Sequence, residues 1–266
     1  MDNRPVGIFD SGFGGLSALA EFRKLMPDED IVFFGDNGRV PYGSKSRSEL
    51  MECARSNIGF LTRHGAKAIL AACGTCSLVV GDVLSASKVK CCDVLSPSVE
   101  LIRSLDEDGP LGIIATQASI DSRGYEKALR NAGIKREIIS VPCPDFVTLI
   151  EAGIPYSDSR VKDAVAKYLA PIRSAGATAL LLGCTHYGII EPSLREYLGE
   201  RTEIVSASAC GAKSLAKHIS AEGTTGGSGK AEFYTSGDAE MFRETASVIL
   251  GYDIGEVISI PKWENE

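Results

Sequence analysis

What this sequence lacks narrows its class first. No window approaches the ~18 consecutive apolar residues that a membrane-spanning helix needs. The opening stretch MDNRPVGIFDSG has no basic segment followed by a long apolar core, so a cytoplasmic protein is expected. A basic excess is missing too: Lys and Arg number 28 against 35 Asp and Glu, a formal net charge of -7. Neither nucleic acid nor an anionic membrane surface is therefore an expected partner. Eight cysteines in 266 residues are too few for a disulfide scaffold, and in a reducing compartment most should be buried core residues. Flexible sequence is confined to EGTTGGSG at 222–229, which is too short to separate domains.

What is present alternates regularly. Short apolar runs at 6–9 (VGIF), 31–34 (IVFF), 68–72 (AILAA) and Val94-Leu95 are interleaved with amphipathic stretches, notably 16–25 and 46–64. Such β/α succession predicts an α/β fold, a mostly parallel sheet flanked by helices. The length accommodates one large domain or two small ones.

The chain also resembles itself. GAKAILAAC at 65–73 aligns without gaps on GATALLLGC at 176–184, an offset of 111 residues, and GIFDS at 7–11 resembles GIIAT at 112–116, an offset of 105. Two β/α halves thus carry matching strand ends, each closing on a cysteine. Ligands of open α/β sheets sit beyond the carboxyl ends of strands, so Cys73 and Cys184 are expected at the mouth of one site, approaching from opposite sides.

Several chemistries suit those cysteines. Cys73 and Cys76 have C-x-x-C spacing, but a redox pair leaves Cys184-Thr185-His186 unexplained. Zinc held by Cys73, Cys76, Cys184 and His186 would have suitable ligand types without the usual paired spacing. Small buried thiols account for Cys53, Cys91, Cys92, Cys143 and Cys210, and less well for a cysteine repeated at strand ends. The preferred reading, which involves no metal, is inversion of a stereocentre: one base removes a proton from one face while an acid delivers another to the opposite face.

The chain resembles the cofactor-independent glutamate racemases of the aspartate/glutamate racemase superfamily. The matching stretches are IFDSGFGGLS at 8–17, Gly35-Asp36 with Pro41-Tyr42-Gly43, ACGT at 72–75, IEAG at 150–153, GCTHY at 183–187 and FYTSGD at 233–238. The resemblance implies two pseudo-symmetric α/β domains with the active site in the cleft between them. They span 1–97 plus 210–266, and 98–209. It implies that Cys73 acts on the D-enantiomer and Cys184 on the L-enantiomer, assisted by Asp10, Glu151 and His186. Ser11, Tyr42, Gly43, Gly74, Thr75, Thr116, Thr185, Asp10 and His186 would contact the substrate, with Ser119 nearby. No cofactor is implied. The implied partner is a small acidic amino acid and the implied product D-glutamate for peptidoglycan; a homodimer is compatible with the sequence.

Plainer roles stand beside these. Asp10 could cap the helix after the glycine loop, Glu151 could be a surface helix residue, and His186 could be a core histidine. His64 and His218 sit in helical stretches without partners. Three positions depart from the family pattern: Gly74 replaces asparagine, Cys76 replaces alanine and Ser206 replaces aspartate. Asparagine would offer the substrate an amide that glycine cannot, unless glycine is present because φ is positive there. Alternative activities are racemisation of aspartate or another acidic amino acid, a thiol hydrolase or isomerase built on Cys184 and His186, and a non-catalytic binding homologue.

Overall fold

In a computed structural model, residues 2–105 and 108–260 form two parallel sheets flanked by helices. Met1, residues 106–107 and residues 261–266, through which the expected domain spans run, lie outside the described residues. The strands are β1 Val6–Asp10, β2 Ile31–Gly35, β3 Ala68–Ala71, β4 Lys90–Asp93, β5 Leu111–Ala115, β6 Ile138–Pro142, β7 Ala179–Leu182, β8 Glu203–Ser206, β9 Ala231–Thr235 and β10 Val257–Ser259. One sheet runs β10-β9-β2-β1-β3-β4 and the other β6-β5-β7-β8. The fold is the expected α/β class.

The self-resemblance is topological. β2-β1-β3-β4 in the first sheet corresponds to β6-β5-β7-β8 in the second, and the central pairs share one register: Gly7 lies opposite Ile69 as Gly112 lies opposite Leu180. These central strands are buried on both faces, so their apolar residues run continuously instead of alternating with polar ones. Successive side chains still point to opposite sides. Val6 and Ile8 of β1 join Leu16, Leu19 and Phe22 of the helix Gly15–Leu25. Phe9 joins Leu50, Phe60 and Leu61 of the helix Arg47–Arg63. That second helix begins at Ser46, whose hydroxyl and backbone N–H exchange hydrogen bonds with Glu49 in a capping box, the arrangement that satisfies otherwise orphaned first-turn donors. In the second sheet Leu180 and Leu182 pack with Val165 and Leu169, while Ala179 and Leu181 pack with Tyr125 and Leu129.

One expected strand moves. Val94-Leu95 is not a strand: β4 is the preceding KCCD, Val94 is the N-cap residue of the helix Leu95–Ser104, and Leu95 is that helix's first residue. β4 lies at a sheet edge, where partial exposure permits polar residues. Among the described residues no helix is long and apolar enough to cross a membrane.

The halves meet along several elements. The helix Ala207–Ala221 sends Leu215 and Ile219 into the first sheet's core, and its Cys210 joins the second's. Ser17 on the helix Gly15–Leu25 donates to the Thr185 carbonyl at 2.6 Å and lies 2.7 Å from the Ser208 hydroxyl.

Candidate active site

Cys73 and Cys184 each stand two residues beyond a central strand, β3 and β7 respectively, in extended backbone conformation. Each is the N-cap residue of a short helical turn, Gly74–Ser77 or Thr185–Ile190. The matched strand register therefore carries through to the thiols. Both are largely buried, at 5% and 8% exposure.

The glycine loop after β1 lies between them. Asp10, which ends β1, is fully buried and accepts from the Gly12 backbone N–H at 2.8 Å. It also accepts from the Thr185 hydroxyl at 3.4 Å, so it joins the halves as well as ordering its own loop. The N-cap residue of the helix that follows is Gly14, which has no side chain to cap with; the Asp10 carboxylate accepts from the backbone N–H of Gly15, the helix's first residue, so Asp10 also serves the helix start. Gly14 is required by closeness: a Cβ there would overlap the Thr185 hydroxyl and lie 2.5 Å from Nδ1 of the His186 ring. Ser11 accepts a hydrogen bond from the Cys73 thiol at 3.4 Å.

Around Cys184 the polar groups form a chain. His186 Nδ1 lies 3.6 Å from Cys184 Sγ, and Nε2 lies 2.9 Å from Glu151 Oε1. Glu151 is both an exposed residue at the end of the helix Pro144–Glu151 and the partner of a buried imidazole. Burial alone would push the His186 pKa down, but Cys184, Glu151 and the charge of Asp10 together raise it to about 10. His186 is thus a buried cation at neutral pH, not a neutral core residue. Cys73 differs. Burial above all, and then the nearby Asp10 carboxylate, push its thiol up to about 12 against the opposing effect of Ser11 and the Cys76 and Ser11 backbone N–H groups. Burial also raises Asp10.

The remaining expected residues take specific positions. Thr75 and Thr116 hydroxyls lie 3.1 Å and 3.0 Å from the Ser119 hydroxyl, which bridges the two halves. Gly43 abuts Ala118 of the second half. The Tyr42 side chain, expected at the substrate, turns instead into a buried network. Its hydroxyl donates to Asp36, which also accepts from Arg39 at 2.7 Å and from Ser236 at 2.7 Å. Asn57 donates to Tyr42. The Tyr42 hydroxyl is therefore committed, and this residue can offer the substrate only its backbone. Sequence alone does not single out Asp36, Arg39, Asn57 and Ser236 as residues that shape the site; the one signal is Gly35-Asp36 beside Pro41-Tyr42-Gly43.

The three departures acquire physical explanations. Ser206 caps the helix Ala207–Ala221 by accepting from the Ala209 N–H, a task suited equally to serine or aspartate. Cys76 is fully buried in the first half's core with Cys53 and Tyr42. Gly74 is not in the positive-φ region. A side chain there would press on the Gly183 carbonyl and come within 2.7 Å of the Tyr125 hydroxyl, so the space for an asparagine is already filled. His64, expected without partners, packs its ring 4.0 Å from that of Phe60 and 4.9 Å from that of Tyr234. All eight cysteines are free thiols. Among the described residues no group of three or more His, Cys, Asp or Glu side chains is gathered to hold a metal ion.

Two matched parallel sheets, each presenting a strand-end cysteine to a common polar cluster, define an α/β isomerase of the amino acid racemase class. The chain belongs to the Asp/Glu/hydantoin racemase family, whose sequence pattern matches residues 17–215. It is 33% identical over 262 residues to glutamate racemase 2 of Caldanaerobacter subterraneus subsp. tengcongensis, covering 98% of both chains. Its fold superposes with a TM-score of 0.86 on a Francisella tularensis glutamate racemase solved with D-glutamate, at 31% identity and 98% coverage of both chains. A Bacillus anthracis glutamate racemase isoform gives a TM-score of 0.88 at 29% identity and the same coverage.

Proposed function

We propose that this protein interconverts L- and D-glutamate by two-base proton transfer at Cα. The matched positions of Cys73 and Cys184, one beyond each central strand and both beside the polar cluster around Asp10, carry the reading. One sulfur, as thiolate, takes the Cα proton: the C–H bond breaks, an S–H bond forms, and the electron pair stays on the carbanion conjugated with the carboxylate. The opposite thiol then protonates the other face, breaking its S–H bond and forming a new C–H bond. One turnover leaves the two sulfurs with exchanged protonation states.

The roles follow the surroundings. Cys184 acts on the L-enantiomer with His186 and Glu151 behind it, and Cys73 acts on the D-enantiomer with Asp10 and Ser11 behind it. The carbanion is the costly species, and preorganised donors around the substrate carboxylate must stabilise it. Ser11 and Thr75 offer hydroxyl donors, Thr116 and Thr185 offer hydroxyl oxygens whose hydrogens already go to Ser119 and Asp10, and the backbone at Tyr42, Gly43 and Gly74 is the further source of N–H groups. Similarity to the D-glutamate-bound Francisella enzyme supports glutamate as substrate. The product would then supply peptidoglycan synthesis in the cytoplasm.

Gly74 favours a second reading, racemisation of another acidic amino acid, because one side-chain amide is missing. A chirality-resolved assay in deuterium oxide, run with both enantiomers of glutamate, aspartate and a wider panel, tests both. Glutamate should turn over fastest, with solvent deuterium at Cα of the product, and Cys73→Ala and Cys184→Ala should each nearly abolish it. Wild-type turnover in either variant would refute the two-thiol mechanism. Faster aspartate turnover would move the substrate and keep the reaction.

A further inference from the structure

We propose that Tyr125 is a positioning residue that, with the bare Gly74, sets the separation of the two cysteines; the inference rests on the two-cysteine reading above. Tyr125 belongs to the helix Gly124–Asn131 of the second half and is 2% exposed. Its hydroxyl donates to the Gly183 carbonyl at 2.6 Å. Gly183 immediately precedes Cys184, and Gly74 immediately follows Cys73. The same hydroxyl faces Gly74, where a Cβ would lie 2.7 Å away and would also press on the Gly183 carbonyl oxygen. Gly183 is equally enclosed, since a Cβ there would sit 2.8 Å and 3.0 Å from atoms of the Tyr125 ring.

Three groups therefore interlock: the residue after one thiol, the residue before the other, and a single phenol. A Cβ on the first would collide with the carbonyl oxygen of the second, so the strand ends approach more closely than any side chain at position 74 permits. The phenol, which burial keeps protonated, is a standing donor that holds the Gly183 carbonyl against this contact. Inversion requires both sulfurs to reach one Cα from opposite faces, and misplacement by about an ångström costs about a hundredfold. Tyr125 also accounts for the departure at Gly74, because its hydroxyl occupies space that an asparagine side chain would need. Spacing, in this account, is held from the second half's helix layer and not from the loop that carries either thiol.

Three variants test the proposal, each with kcat and KM measured in both directions and thermal unfolding recorded. Tyr125→Phe keeps the ring and leaves the buried carbonyl without its donor. Its kcat should fall about tenfold in both directions, with KM changed by less than about twofold. Gly74→Ala forces the strand ends apart by a substantial fraction of an ångström, and its kcat should fall about a hundredfold. In the double variant one of the two obstructing oxygens is gone, so the combined loss should be smaller than the product of the single losses. The inference is overturned if Tyr125→Phe keeps kcat within about twofold of wild type. It is equally overturned if the two losses multiply, or if the melting temperature falls while kcat of the folded protein stays unchanged. Should Gly74→Ala not fold, the Tyr125→Phe result decides alone. Inactive Cys73→Ala and Cys184→Ala beside a fully active Tyr125→Phe would refute this inference only, whereas active cysteine variants would refute the mechanism beneath it.

Discussion

Replacing Glu151 by Gln should shift the alkaline limb of the pH–rate profile to lower pH. In the folded protein His186 is raised from 6.5 to about 10 even though burial opposes the charged form. At about 1.36 kcal/mol per pH unit, the imidazolium is favoured by roughly 5 kcal/mol relative to an unperturbed histidine. Cys184, Glu151 and Asp10 supply that preference. A hydrogen bond to a charged group contributes about 1.5 to 3 kcal/mol, but the Glu151 side chain is 37% exposed, and solvent screening holds its share near or below the lower end. Removing the carboxylate while keeping the hydrogen-bonding shape should thus lower the His186 pKa by about one pH unit. Because the folded pKa is raised, the imidazolium is complete at neutral pH and is lost as pH rises through about 10. The limb therefore moves down, toward about 9. The same linkage gives a stability contribution fully present below pH 6.5 and lost as pH climbs through 10. The assay is kcat/KM in both directions from pH 7 to 11, with thermal unfolding over the same range. A limb that stays in place or moves upward in Glu151→Gln would show that the pair does not control the protonation of His186.

Two further predictions concern residues outside the proton-transfer chain. Cys76→Ala should keep most racemase activity, since Cys76 is a fully buried core residue and a small-for-small exchange costs little; a Cys73–Cys76 disulfide in active protein would refute that reading. Lys67→Ala should destabilise the fold by about 3 to 5 kcal/mol, because it strands Glu29 in a buried pair of 2.6 Å. It also removes donors to the Asp2 and Thr224 carbonyls. Denaturant unfolding measures this, and a loss under about 1 kcal/mol would mean that water replaces the ammonium.

The fold was legible where burial is complete. β1, β3, β5 and β7 are covered on both faces, so their sequences are continuous apolar runs, and the offset of 111 residues survives because β3 and β7 pair with their neighbours in one register. β4 was misplaced for the converse reason. Its KCCD is partly exposed at a sheet edge, while the apolar pair after it starts a helix whose Val99 and Ile102 face the second core. Periodicity reports the environment of a segment, and an edge strand has a mixed one.

The site divides along a similar line. Cys73 and Cys184 could be found because strand-end position is a local property that both halves repeat. His186 and Glu151 lie 35 residues apart and meet only in the fold, so family resemblance, not spacing, brought them together. Tyr125 and Gly183 are separated by 58 residues, and Asp36 and Ser236 by 200; Asp36, Gly183 and Ser236 stand in the matching stretches but nothing there pairs them, and Tyr125 looks like an ordinary helix residue. Gly74 joins the two cases. Considered alone it is a missing amide, and the natural repair is to restore asparagine. Opposite Tyr125 and Gly183 it is a vacancy that two other groups already occupy, so restoring the side chain would add bulk where the thiols need proximity. The effect of a residue at position 74 is therefore decided by the tyrosine 51 positions further along. Any account of substrate preference that varies position 74 while leaving Tyr125 in place will confound the loss of a substrate contact with a change in the spacing of the two bases.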